Sequence, residues 1–260
     1  TSNNGVRLRQ CSPGGGSGTR MTHAIRCSPI RLGRVTPPTA VLFDFAGTLL
    51  VPEPRDAWVA AVCPELPPAE VAELAEALDH AGRPGGPEPV ALPQEWAEAY
   101  AQRDVSTTRH RAVYEALLST VVDAALARRL YERSIAPEGW VPYPDALPVL
   151  TELRDRGVPV VVVSNVGFDL RAVFAGHGLA ELVTTFVLSC EIGVMKPDAE
   201  IYRTALASLD LQPHQVLMVG DDRRSDGAAV DLGIRTLLLP YSAAPVEHGL
   251  DAVLGLAARG

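Results

Sequence analysis

From Thr39 onward, short apolar runs alternate with stretches in which apolar residues recur at helical spacing. The runs at 40–45, 158–163, 186–188, 216–219 and 236–239 are too short for helices. They carry few polar residues, as strands of a parallel sheet do when both faces are covered. Between them, residues 146–156, 170–176, 199–209 and 227–232 show the helical period, and several of these stretches end near Gly157, Gly178 or Gly233, a common way to stop a helix. Strand followed by helix, repeated, predicts an α/β fold with a doubly wound, mostly parallel, Rossmann-like sheet.

Residues 51–145 break the rhythm. They read as helices interrupted by proline, at 67–82, 94–102 and 109–134, with Pro52, Pro54, Pro142 and Pro144 as turn-favouring residues near the joins. The pattern predicts a core made of residues 39–50 and 146–260 and an inserted α-helical cap at 51–145. Residues 1–38 are rich in Gly, Ser, Pro and Arg without an apolar period, and are expected to be a disordered leader, with Met21 as a plausible start.

Composition narrows the function. Hydrophobic residues at 47% and charged residues at 21% are ordinary for a globular protein, and no run of about 18 apolar residues suggests a membrane span. The net charge is -8, although residues 1–38 hold six arginines and no acid. The body is therefore more acidic than the whole and offers no basic face to displace counterions from nucleic acid. Cys11, Cys27, Cys63 and Cys190 have no CxxC or metal-ligand spacing, so reduced thiols and a cytoplasmic location are expected. A small molecule is the expected partner; nothing in the sequence addresses oligomeric state.

Four polar motifs follow the runs. The first strand leads into Asp44-Phe45-Ala46-Gly47-Thr48, and an acid there lies at the carboxyl edge of the sheet, where open α/β folds bind ligands. The second ends in Ser164-Asn165, small groups able to hydrogen-bond an oxyanion. After the third come Lys196, the only lysine of the chain, and Pro197. The fourth runs into Gly220-Asp221-Asp222-Arg223-Arg224-Ser225-Asp226, whose carboxylates repel one another unless a hard cation such as Mg²⁺ sits among them.

In this order, each after a strand, the four pieces resemble the motifs of the haloacid dehalogenase superfamily over residues 40–240. The resemblance implies that Asp44 is a covalent nucleophile, that Ser164 and Lys196 hold and neutralise a phosphoryl group, and that Asn165 contributes to substrate binding. It implies Mg²⁺ held by Asp44, the Ala46 carbonyl, Asp221 and Asp222, with Asp226 completing or orienting the shell. Ala46 departs from the pattern, because phosphatases of the superfamily carry there the aspartate that protonates the leaving oxygen. Such a group contributes about 10² to 10⁴ in rate. His80, His110 and Glu53 are candidates to replace it.

The expected activity is Mg²⁺-dependent hydrolysis of a small phosphorylated metabolite. The alternatives are carbon–halogen hydrolysis and a silent binding protein that kept the fold. Carbon–phosphorus cleavage through an imine would need a cap lysine, and residues 51–145 contain none.

Overall fold

The computed structural model describes residues 36–90 and 92–257. Apart from residues 36–38, the expected leader lies outside the described residues, as do Cys11 and Cys27. The strands are β1 (Ala40–Phe43), β2 (Leu50–Pro52), β3 (Trp140–Pro142), β4 (Val160–Ser164), β5 (Thr185–Leu188), β6 (Val216–Gly220) and β7 (Arg235–Leu238). The helices are α1 (Arg55–Val62), α2 (Pro68–Ala81), α3 (Ala97–Ala101), α4 (Thr107–Leu118), α5 (Ala124–Ile135), α6 (Ala146–Asp155), α7 (Arg171–Gly176), α8 (Ser189–Ile192), α9 (Ala199–Leu209) and α10 (Ala252–Leu256).

Five strands form one parallel sheet in the order β5-β4-β1-β6-β7. Successive side chains of a strand point to opposite faces, and the cores divide accordingly. Val41, Phe43, Val160, Val162, Leu217 and Val219 join the core on one face. Ala40, Leu42, Val161, Val163, Val216 and Met218 join the core on the other. This two-sided burial makes β1, β4 and β6 read as continuous apolar runs. The predicted α/β architecture is thus the observed one.

Helices α1 to α5 belong to the long insertion, and they build a core of their own around Trp58, Leu78, Leu117, Leu130 and Tyr131. Trp58 Nε1 donates to Leu130 O at 3.0 Å, tying α1 to α5 inside that core. The helix expected over 109–134 is two helices, because Asp123 caps α5 by accepting from Ala125 N and Leu126 N at 2.9 Å. At the base of the insertion β2 and β3 pair antiparallel, Leu50 opposite Pro142 and Pro52 opposite Trp140, a ribbon that the sequence reading did not anticipate. No helix among the described residues is long and apolar enough to cross a membrane.

Candidate active site

The carboxyl ends of β1, β4 and β6 lie side by side, which brings the residues following them together. Asp44 comes directly after β1, Ser164 is the last residue of β4, and Asp221 follows β6. Lys196 arrives from the loop between α8 and α9, and Asp198 caps α9 by accepting from Glu200 N at 2.9 Å. Two hydrogen bonds with Asn165 fix that loop: Lys196 N donates to Asn165 Oδ1 at 2.7 Å, and Asn165 Nδ2 donates to Lys196 O at 2.8 Å. The side-chain amide expected to bind substrate is therefore engaged in placing the lysine, while Asn165 still lines the cavity described below.

Lys196 Nζ donates to Asp44 Oδ1 and to Asp226 Oδ1, each at 2.6 Å. Lys196 is only 4% exposed. Burial works against its charge, but Asp226 and Asp44 outweigh that cost and hold its pKa above the usual lysine value. Burial pushes Asp44 up to about 7, opposed by Lys196 and reinforced by Asp226 and Asp221. Asp221 rises to about 6, again mainly through burial, with Asp226 adding to it.

Oxygens of Asp44, Asp221 and Asp226 all lie within 4.8 Å of one another. Three carboxylates sharing one ammonium leave an excess of negative charge, and an all-oxygen set of this kind suits a hard divalent cation such as Mg²⁺. Asp222 is engaged differently. Its Oδ1 accepts from Arg224 N at 2.9 Å and from the Ser225 hydroxyl at 2.7 Å, so it closes its own turn. These bonds hold its pKa below the usual carboxylate value despite some burial. Asp226 takes the inner place, its Oδ2 accepting from Asp222 N at 3.0 Å.

Two glycines permit this crowding. Gly47 has φ +84°, and a Cβ there would fall 2.5 Å from Asp221 Oδ2. A Cβ on Gly220 would fall 2.1 Å from Asp226 Oδ2. Tyr202, which the sequence reading passed over, donates its hydroxyl to Ser225 O and so braces the acid loop from α9.

Above the carboxylates opens a cavity of about 750 Å³. Asp44, Ala46, Asp221 and Asn165 line it from the sheet side. Arg83, Arg103, Asp104, His110 and Tyr114 line it from the insertion. Part of its apolar wall is Phe45 against Trp140, ring centroids 4.3 Å apart. Ala46, half-buried at the cavity, carries only a methyl group and has no proton to give.

The candidate replacements fare unequally. His80 is exposed on α2. Glu53 lines the cavity, but Arg133 grips both its oxygens at 2.7 and 2.8 Å. His110 is buried, bonded through Nδ1 to Tyr131 Oη at 2.8 Å, and its pKa is lowered to about 3 by burial, helped by Arg103 and Arg111.

Known proteins bear on what this geometry serves. The family model for haloacid dehalogenase-like hydrolases matches residues 38–230. Plasmid phosphoglycolate phosphatase of Cupriavidus necator is 30% identical over 227 residues, 84% of this chain and 89% of that protein. Phosphoserine phosphatase of Thermus thermophilus is 32% identical over 142 residues, 54% of this chain and 57% of that protein. The chain thus spans little more than half the length of some curated relatives it matches. In fold it resembles a crystal structure of a dehalogenase, with TM-score 0.60 and 22% identity over 85% of this chain and 97% of the other. With the match running from the approach to Asp44 through the acid loop, the chain belongs to the haloacid dehalogenase-like hydrolases.

Proposed function

We propose that this hydrolase removes a phosphoryl group from a small metabolite in a Mg²⁺-dependent reaction, with Asp44 as nucleophile and the helical insertion as the cap over the site. The observation that carries the reading is the buried lysine shared by Asp44 and Asp226, with Asp221 in the same carboxylate group. Such a floor has an attacking oxygen, a fixed counter-charge and room for a divalent ion. Asp44, Asp221 and the Ala46 carbonyl would hold Mg²⁺, with Asp226 behind them. When bound, the ion supplies charge neutralisation for the phosphoryl oxygens.

Asp44 attacks phosphorus and becomes an aspartyl phosphate, which divides one hard displacement into two easier ones. Lys196 holds the Asp44 carboxylate in place and compensates charge as the phosphoryl group arrives. Ser164, 2% exposed at the end of β4, offers a hydroxyl for a phosphoryl oxygen. Phe45 and Trp140 exclude water from one wall of the cavity.

The test is a panel of phosphate esters, acyl phosphates and haloacids, each with Mg²⁺ or with a chelator. Metal-dependent phosphate release that disappears in Asp44→Asn is the expected result. Halide release without metal would establish the dehalogenase instead, and silence throughout the binding protein.

A further inference from the structure

If phosphorus is attacked in line from the sheet side, the leaving oxygen points the opposite way, toward the wall of the cavity built by the insertion. A proton donor on that wall would stand in the right place, and Ala46 supplies none. Among the insertion's acids at the cavity, Glu53 is gripped by Arg133, and Asp79 accepts from Arg83 Nε at 2.7 Å. Asp104 differs. Asp104 lines the cavity, and the nearest basic nitrogens to its carboxylate, Arg103 Nε and the neutral His110 Nε2, stand 3.6 Å away, too far for a good hydrogen bond.

The position of Asp104 relative to the sheet is fixed. Ser189 Oγ, at the start of α8, donates to Asp104 O at 2.7 Å. The same oxygen accepts from Val166 N at 2.9 Å, and Val166 directly follows Asn165. One buried hydroxyl therefore joins the turn carrying Asp104 to the strand end carrying Ser164.

We propose that Asp104 is the acid–base residue of this site, transferring a proton to the leaving oxygen from the cap in place of the group that Ala46 lacks. The inference rests on the phosphoryl reading above. Burial pushes Asp104 up to about 6, with Arg103 holding it from rising further, so both protonation states are accessible near neutrality. In the first step the Asp44 oxygen bonds to phosphorus, the bond from phosphorus to the leaving oxygen breaks with its electron pair on that oxygen, and the Asp104 carboxyl proton moves there to release an alcohol. In the second step a water oxygen bonds to phosphorus while the Asp104 carboxylate takes its proton. The bond between phosphorus and Asp44 breaks, Asp44 regains its carboxylate, and inorganic phosphate leaves.

The experiment is a pre-steady-state comparison of the Mg²⁺-loaded full chain and Asp104→Asn on an alkyl phosphate and on nitrophenyl phosphate. Nitrophenolate departs without a proton, so the variant should keep a stoichiometric burst with that ester and stall afterwards as the aspartyl phosphate. With the alkyl ester the burst itself should slow by about 10² to 10⁴. Ala46→Asp combined with Asp104→Asn should recover alkyl phosphate turnover, and Asp104→Glu should retain part of it. Equal slowing of both bursts, or full alkyl phosphate turnover in Asp104→Asn, would overturn the assignment. Should the unmutated chain release phosphate from neither ester in a Mg²⁺-dependent way, the phosphoryl reading falls, and this one with it. A wild-type burst abolished by Asp44→Asn isolates any failure to Asp104.

Discussion

Lys196 Nζ stands 2.6 Å from Asp44 Oδ1 and the same distance from Asp226 Oδ1, so one buried cation is divided between the nucleophile and the acid loop. Removing one partner of a buried pair costs about 3–5 kcal/mol, because the charges left behind lose their compensation. Lys196→Ala should therefore abolish turnover and lower the melting temperature. Mg²⁺ should raise that temperature more in the variant than in the parent, since the ion then supplies the missing positive charge. Unchanged melting and retained activity in Lys196→Ala would remove the lysine from both roles.

Acidity offers a second test. Asp44 and Asp221 have folded-state values of about 7 and about 6, above their ordinary carboxylate value. Between about pH 4 and pH 7 the folded chain thus binds more protons at these groups than the unfolded chain does, and their contribution to stability falls as pH rises. Chelator-treated protein should lose melting temperature across that window through these groups. Added Mg²⁺ should restore more at neutral pH than at mildly acidic pH, where protons compete for the same oxygens. A Mg²⁺ effect independent of pH would contradict the arrangement.

Gly47 gives a third. Its φ of +84° costs a residue with a side chain about 1–2 kcal/mol, and a methyl there would meet Asp221 Oδ2 at 2.5 Å. Gly47→Ala should displace Asp221, weakening Mg²⁺ affinity in titration calorimetry along with stability. A variant that melts earlier yet binds Mg²⁺ normally would show strain without displacement.

The sheet and its catalytic edge were legible because burial on both faces writes itself into consecutive residues. Val160–Ser164 and Val216–Gly220 read as apolar runs, and the polar residues that end them fall at one edge. Helix α9 has both bounds where the periodicity puts them, 199 and 209. The ribbon of Leu50–Pro52 with Trp140–Pro142 has three residues a side and depends on pairing between distant segments, which local pattern does not carry. Asp123 lies inside the 109–134 period, and the preference of aspartate for helix starts is the one local signal that divides that period into two helices. Asp104 and Arg103 sit in a short turn with no period at all. Contacts between distant segments, among them Ser189 Oγ donating to Asp104 O and Arg103 Nε donating to Tyr114 Oη, place that turn at the cavity.

The fit between insertion and sheet edge depends on Gly167, two residues after Asn165. A Cβ there would fall 2.1 Å from His110 Cβ and 2.2 Å from its Cγ. His110 is itself buried and held by Tyr131, so it has little freedom to retreat. Gly167→Ala should therefore push α4 away from the β4 edge and loosen the wall that carries Asp104. The insertion's own core and the sheet core built around Leu42, Val161 and Met218, neither of which includes Gly167 or its neighbours Val166 and Phe168, should remain folded. Gly255, in α10, is the control: nothing lies within 4 Å of an added methyl, and alanine is favoured over glycine in a helix by about 1 kcal/mol. Gly255→Ala should leave turnover unchanged and melting equal or higher. Gly167→Ala should lose turnover and expose the 103–110 segment to limited proteolysis while its far-ultraviolet circular dichroism stays native. Equal behaviour of the two variants would mean that the insertion reaches the nucleophile without this contact.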